Sequence, residues 1–503
     1  MSRTKKFAYN SITTAFYQIV LMLAGFITPL VMLKVYGSEI NGLVSSINQF
    51  IVYFSLVEAG LSGAAIYALY KPLANNDHKA INGVVSAAKK FYTQAGYIFI
   101  SLTIGLAVIY PMLVKTDAIT PFNIGLLVFI LGINGALEFF TLSKYRALLS
   151  ADQRTYIVSL ASIVQVVVNT LIIVVLANLR ADIVVLRFVA LLSIFSRSLI
   201  LIIYVKVKYK YINYKEEPNF TALNKRWDVL YLQVLGAIQF GSPIVILTII
   251  SRDLKVVSVY AIFNMVIAGL NGILSIFVSG LSASFGDVIS RRETKTLQKA
   301  YRQFELFYYS LITVVYSIAF VTIMSFIRIY TTGITDIKYD LPLVGFLFVL
   351  NGLLNNIKTP QGMLVISAGM YKETKVQTTI QGAIAVIGGI ILAPFFGIVG
   401  VLVGLILSNI YRDIDLLFFI PRNVTKLPVS ETAYRIIRVF MCIAIIWIPL
   451  YFTKLNPVSY VSWFINAAGV GIYALLIVVL SGLIFDRNDM KSTANRILGM
   501  VRK

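Results

Sequence analysis

The chain has 503 residues, of which 58% are hydrophobic and 13% charged, with a mean hydropathy of +0.83. A soluble core cannot absorb that much apolar sequence, so the composition points to a polytopic membrane protein. The formal charge of +22 would suggest nucleic acid in a soluble protein. Here the basic residues fall in short loops between apolar runs, where they set topology, and no nucleic-acid partner is expected. A single cysteine, Cys442, excludes an internal disulfide and reads as a small core hydrophobe; a single histidine, His78, lies in a polar loop. Such stock assembles neither a metal cluster nor a catalytic triad, so no cofactor and no enzyme are expected.

Apolar runs long enough to cross a bilayer, about 20 residues each, fall at 8–36, 39–69, 92–114, 119–143, 155–179, 181–205, 229–250, 256–284, 305–330, 341–367, 376–395, 397–420, 438–453 and 462–484. That makes fourteen predicted spans. The first is too long for a signal peptide and has no cleavage-site pattern, so it is expected to stay as a span. With the N-terminus inside, 32 of the 44 Lys and Arg fall in inner segments and 8 in outer ones, which predicts both termini in the cytoplasm. Two inner segments, 287–305 and 486–503, read as basic amphipathic helices for an anionic leaflet, against a regulatory or partner-binding role.

The chain also repeats itself. Thr28 to Asn41 (TPLVMLKVYGSEIN) matches Ser242 to Lys255 (SPIVILTIISRDLK), with Pro29 on Pro243 and Glu39 on Asp253. Asn134-Gly135 and Leu148 to Ala151 match Asn351-Gly352 and Val365 to Ala368, and Ser193-x-x-x-Arg197 matches Ser408-x-x-x-Arg412. Offsets of 214 to 217 in all three predict a duplicated half, as in secondary transporters. Six spans per half predict two parallel lobes, 1–205 and 229–420, around a central cavity, joined by a basic linker, 206–228. Residues 421–503 add two extra C-terminal helices and a tail. The expected fold is therefore an all-α bundle of about 14 transmembrane helices.

Charges inside spans cost roughly 2.5–3.5 kcal/mol on insertion scales and are functional candidates for that reason. On the tenth span Asn351, Asn355, Lys358 and Gly362 share one helical stripe; the matching stripe on the fourth is Asn134, Glu138, Thr141 and Tyr145. Lys358 could instead snorkel to the inner interface. Arg197 and Arg412 each lie about two turns inside the inner end of a span, and guanidinium forks suit phosphate. Under the repeat they are expected to face each other across the axis. Pairing with Asp413 or Asp415 is the other reading of Arg412. Glu58 and Glu138 are candidates for ion coupling, or for structural ion pairs.

The run Pro29, Tyr36-Gly37, Glu39, Asn41-Gly42-Leu43 and Glu58-Ala59-Gly60-Leu61, with Phe396 to Gly400 and Gly404, resembles the Wzx-type polysaccharide repeat-unit flippases. These belong to the multidrug/oligosaccharidyl-lipid/polysaccharide exporter superfamily, and the resemblance covers essentially the whole chain. It implies a flippase that carries undecaprenyl-pyrophosphate-linked oligosaccharide from the inner to the outer leaflet of a bacterial plasma membrane by alternating access. The implied partners are that lipid-linked oligosaccharide, anionic membrane lipids and polysaccharide polymerase machinery, with proton or sodium coupling left open. Arg197, Arg412, Lys358, Asn351, Asn355 and Asn134 are the expected substrate contacts. The competing reading is a cation-coupled multidrug antiporter of the same superfamily, which an acidic cavity would favour. A membrane enzyme would need a larger loop or domain than this chain offers.

Overall fold

The computed structural model describes residues 3–58, 61–220, 226–278, 281–453, 455–487 and 490, and among these every regular element is helical. Eleven helical runs are long and apolar enough to cross a membrane. The first, Tyr9–Asn75, has 67 residues, far beyond one crossing, and it breaks at Gly37 (φ 80, ψ 176) between the first two predicted spans. Two more crossings escape the length-and-charge criterion for physical reasons. The run 342–367 is split in two at Lys358, and Ile398–Ile420 carries Arg412, Asp413 and Asp415. Counting these restores the fourteen spans expected of a multi-pass membrane protein.

The chain divides into two compact units, Met1–Ala261 and Ile262–Lys503. The first holds α1 (Arg3–Phe54), a 3-10 turn (Ser55–Glu58), α2 (Leu61–Asn75), α3 (His78–Leu113), α4 (Pro121–Thr141), α5 (Ser143–Ala151), α6 (Thr155–Asn178), α7 (Ile183–Leu191), α8 (Ser193–Lys208), α9 (Arg226–Ser251) and the start of α10 (Leu254–Val278). Its central core joins α1, α3, α4, α6 and α7 through Leu43, Ile47, Tyr110, Leu127, Ile173 and Leu186, all fully buried. Here the two copies of the repeated segment pack on each other. Asn41 Nδ2 donates to Ser258 Oγ (2.8 Å), and Ser46 shares a 2.8 Å hydroxyl bond with Thr248. Gly42 permits the approach, since a Cβ there would collide with the Leu254 carbonyl.

The second unit holds the rest of α10, then α11 (Leu281–Ser290), α12 (Thr294–Tyr330), α13 (Pro342–Ile357), α14 (Thr359–Ser367), α15 (Lys375–Phe396), α16 (Ile398–Ile420), a π-turn (Pro421–Thr425), α17 (Val429–Phe452) and α18 (Tyr460–Phe485). Helices α15 and α16 touch through glycines: a Cβ on Gly404 would lie 2.8 Å from the Gly389 nitrogen. The extra pair α17 and α18 packs on α12 through Ile446, Val470, Ala474 and Ile318.

Backbone conformation carries the repeat as well. Residues with positive φ recur in pairs: Gly37 and Arg252, Asn76 and Arg292, Gln153 and Gly369, Arg180 and Gly397, spaced 215 to 217 apart. Except for Gly37, each follows the end of a helix. A left-handed arginine or glutamine costs about 1–2 kcal/mol, so the chain turn itself holds these positions.

Two stretches differ from the sequence reading. The segment 287–305 is not one amphipathic helix, because α11 ends at Ser290 and Arg292 turns left-handed (φ 58) before α12 begins. The basic linker, for which sequence offered no structure, is packed as far as residue 220. Asn82 donates to the Tyr211 carbonyl (3.1 Å) and accepts from the Asn213 amide (3.0 Å), while Tyr211 stacks on His78 at 3.9 Å. Residues 221–225 of the linker and 491–503 of the tail lie outside the described residues, as do Ala59 and Gly60.

Candidate functional site

In the first unit the fourth-span stripe is interrupted, since α4 ends at Thr141 and α5 starts at Ser143. Hydroxyls fill the gap: Thr141 Oγ1 donates to the Leu137 carbonyl (2.6 Å) and Ser143 Oγ to that of Glu138 (3.2 Å). Glu138, in the last turn of α4, meets Arg197 of α8. Arg197 Nη1 donates to Glu138 Oε1 (2.8 Å) and to Gln165 Oε1 on α6 (3.3 Å), while its buried Nε has no hydrogen-bond partner. The arginine side chain is 11% exposed and the glutamate 40%, so the pair opens on its acidic side. Glu58 accepts from Arg146 Nη2 at 2.6 Å. Both acids that sequence offered for ion coupling are thus engaged by guanidiniums. Asn134, one turn before Glu138, is exposed.

In the second unit the tenth-span stripe also breaks. Pro360, in the first turn of α14, has no N–H to donate to α13, and Lys358 stands at the junction. Lys358 Nζ donates to Asn409 Oδ1 of α16, and Asn409 Nδ2 donates to Asn351 Oδ1 (2.9 Å). Asn351 and Lys358 are therefore brought together through a residue the stripe does not contain. One turn along α16, buried Arg412 donates to Asp415 Oδ2 (2.5 Å), the local pairing that sequence had left open.

Two polar groups stand where the sequence reading did not put them: Asp413, expected as one of two partners for Arg412, and Asn356. Both carboxylate oxygens of Asp413 are buried with no hydrogen-bond partner among the described residues, and Asp413 interacts electrostatically with Lys358. Asn356, rather than the half-buried Asn355, is the buried asparagine of the tenth span. It accepts from Tyr308 (2.7 Å), and its amide nitrogen lies 2.7 Å from Asn271 Oδ1 and 2.8 Å from the Tyr316 hydroxyl. The signal for Asp413 was its place between two other charges on an apolar helix. Asn356 gave none, because an asparagine one position off a stripe reads as background.

At the junction of α5 and α6, outside the spans, Asp152 gathers Lys6 (2.9 Å), Arg154 (2.6 Å) and the Tyr209 hydroxyl (2.5 Å). Burial acts to raise the Asp152 pKa, but the hydrogen bonds from Tyr209 and Lys6 and the Arg154 charge outweigh it and hold the carboxyl below its ordinary value.

With helices, breaks and polar clusters in place, the molecule can be set against solved structures. An inward-facing multidrug-resistance MATE transporter matches at TM-score 0.67 with 15% identity, over 84% of this chain and 99% of the other. The lipid II flippase MurJ, in an inward closed conformation, matches at TM-score 0.66 with 16% identity, over 95% of this chain and 99% of the other. The fold is that of the MOP-superfamily transporters. A further member from Pyrococcus furiosus, described as having a binding pocket of reverse polarity, matches at TM-score 0.62 with 15% identity, over 85% of this chain and 96% of the other. No protein-family model matches the sequence, and no curated protein matches it.

Proposed function

We propose that the protein is a lipid flippase that carries undecaprenyl-pyrophosphate-linked oligosaccharide from the inner to the outer leaflet by alternating access. The observation that carries this reading is the helix pair α17 and α18. Likeness to the lipid flippase extends over 95% of the chain, against 84% for the drug transporter, and α17 and α18 pack on α12 as part of the second unit. In this reading Arg197, with an unpartnered buried Nε, and Arg412 contact the pyrophosphate, while Lys358, Asn351, Asn355 and Asn134 contact phosphate or sugar. Coupling to a proton or sodium ion is assigned to Asp413 rather than to Glu58 or Glu138, whose carboxylates already have guanidinium partners.

A second reading, a cation-coupled drug antiporter, is favoured by one observation: every intramembrane base of these clusters has an acid beside it. Deleting the gene in its host separates the two. A flippase leaves lipid-linked glycan accumulated on the inner leaflet, and the intact gene restores transfer. Wild-type glycan distribution together with new sensitivity to cationic drugs would replace the flippase with the antiporter.

A further inference from the structure

At one end of the second unit, α12, α17, the end of α18 and the two residues after it line an open cavity of about 990 Å³. The positive-inside bias assigns this end to the cytoplasm. Four arginines line it: Arg302, Arg435, Arg438 and Arg487. Arg302 is held bidentate by Glu431 (2.7 and 2.7 Å), Arg435 lies between Glu305 (2.9 Å) and Asp486 (3.3 Å), and Arg438 pairs with Asp486. Arg487 is exposed and has no hydrogen-bond or ion-pair partner among the described residues. Three of the four guanidiniums are thus held by carboxylates, and among the described residues Arg487 is not. The other wall is apolar and exposed: Ile437, Met441, Ile484 and Phe485 are 52%, 47%, 72% and 68% exposed.

A cluster of guanidiniums beside an apolar flank at the level of the headgroups fits an anionic amphiphile. We propose that this cavity seats the phosphodiester headgroup of an amine-free anionic phospholipid, with Arg438 and Arg487 on the phosphate and the acyl chains along Ile437, Met441, Ile484 and Phe485. Guanidinium forks suit phosphate oxygens. A zwitterionic lipid is disfavoured because its ammonium would find the carboxylates Glu431 and Asp486 already taken. The site lies apart from the polar clusters on α13 and α16, and the proposal stands whether the protein moves lipid-linked glycan or drugs.

Native mass spectrometry of the full chain in detergent, titrated with phosphatidylglycerol or phosphatidylcholine, tests it. One phosphatidylglycerol is expected to be retained per protein, with phosphatidylcholine bound about tenfold more weakly. Arg487→Gln, which removes an exposed and unpaired charge, is expected to weaken retention without lowering the melting temperature, and Arg438→Gln/Arg487→Gln to abolish it. The control Arg291→Gln/Lys295→Gln removes two exposed charges, one from the turn after α11 and one from the first turn of α12, and is expected to change nothing. Equal retention of both lipids, equal loss in the control, or unchanged retention in Arg487→Gln would overturn the proposal. Displacement of the lipid by inorganic phosphate would also overturn it, making the site one for free phosphate.

Discussion

The two units treat the same repeated scaffold differently. In the first, Glu58 and Glu138 each meet an arginine in a cluster that stays partly open: the Glu58 and Arg146 side chains are 21% and 30% exposed, and Glu138 is 40% exposed. In the second, polar groups are sealed into a network. Within the repeat, Asn356 is 5% exposed and bonds Tyr308 (2.7 Å), Asn271 (2.7 Å) and Tyr316 (2.8 Å); outside it, Arg435 of α17 seals Glu305, the two side chains being 6% and 2% exposed. Helix breaks at Leu142 and Lys358 are 216 residues apart, so both units retain the same joint while the side chains around it have diverged. A duplicated backbone can thus offer accessible charge in one copy and buried, hydrogen-bonded polarity in the other.

The sharpest way to break this contrast is to open an ion pair in each unit. Arg435→Ala strands a buried carboxylate and should cost about 3–5 kcal/mol. Arg146→Ala strands a carboxylate that water still reaches and should cost about 1 kcal/mol. Thermal melts in one detergent check both, and equal losses would erase the distinction. Next in size, Asn356→Leu leaves Tyr308, Tyr316 and Asn271 short of partners and should cost about 2 kcal/mol. Asn134→Leu, at an exposed position of the other unit, should stay within about 0.5 kcal/mol.

The comparison is sharpened by function as well. Asp413→Asn should slow gradient-driven transport by about tenfold, equivalent to about 1.4 kcal/mol, while Glu58→Gln stays near wild type in turnover. Transport into vesicles with an imposed proton or sodium gradient checks this, and the reverse ranking would return coupling to the first unit. A smaller effect is expected at Asp152. Its folded pKa is depressed, so its contribution is present above the unfolded carboxyl value and is lost as pH falls through the folded one. Hydrogen-exchange protection of residues 209–214, taken relative to the intrinsic rate at each pH, should therefore fall on acidification, and Asp152→Asn should lower it at neutral pH for a loss of about 1 kcal/mol.

Much of the scaffold was legible because hydropathy and proline or glycine placement act locally. Gly37 divides the first two spans, and three short matches already carried the offset that the backbone repeats at Asn76 and Arg292. The side-chain site was less legible. A stripe at 3.6 residues per turn assumes an unbroken helix, and the breaks at Leu142 and Lys358 re-aim everything beyond them. Lys358 consequently meets Asn409, a residue on another helix that no pattern within its own span could supply. Left-handed Arg252 and Arg292 carry no glycine to announce a turn. Asp415 was visible as a partner for Arg412 because that pair is local, whereas Arg197 and Glu138 are 59 residues apart.

Arg197 and Arg412, proposed to receive an anionic headgroup, are best tested together. Arg197→Ala/Arg412→Ala is reconstituted beside wild type in vesicles loaded with undecaprenyl-pyrophosphate-linked oligosaccharide, and glycan reaching the opposite leaflet is counted with a membrane-impermeant glycosidase. The account predicts normal insertion and no transfer above protein-free vesicles. Transfer at the wild-type rate would contradict it.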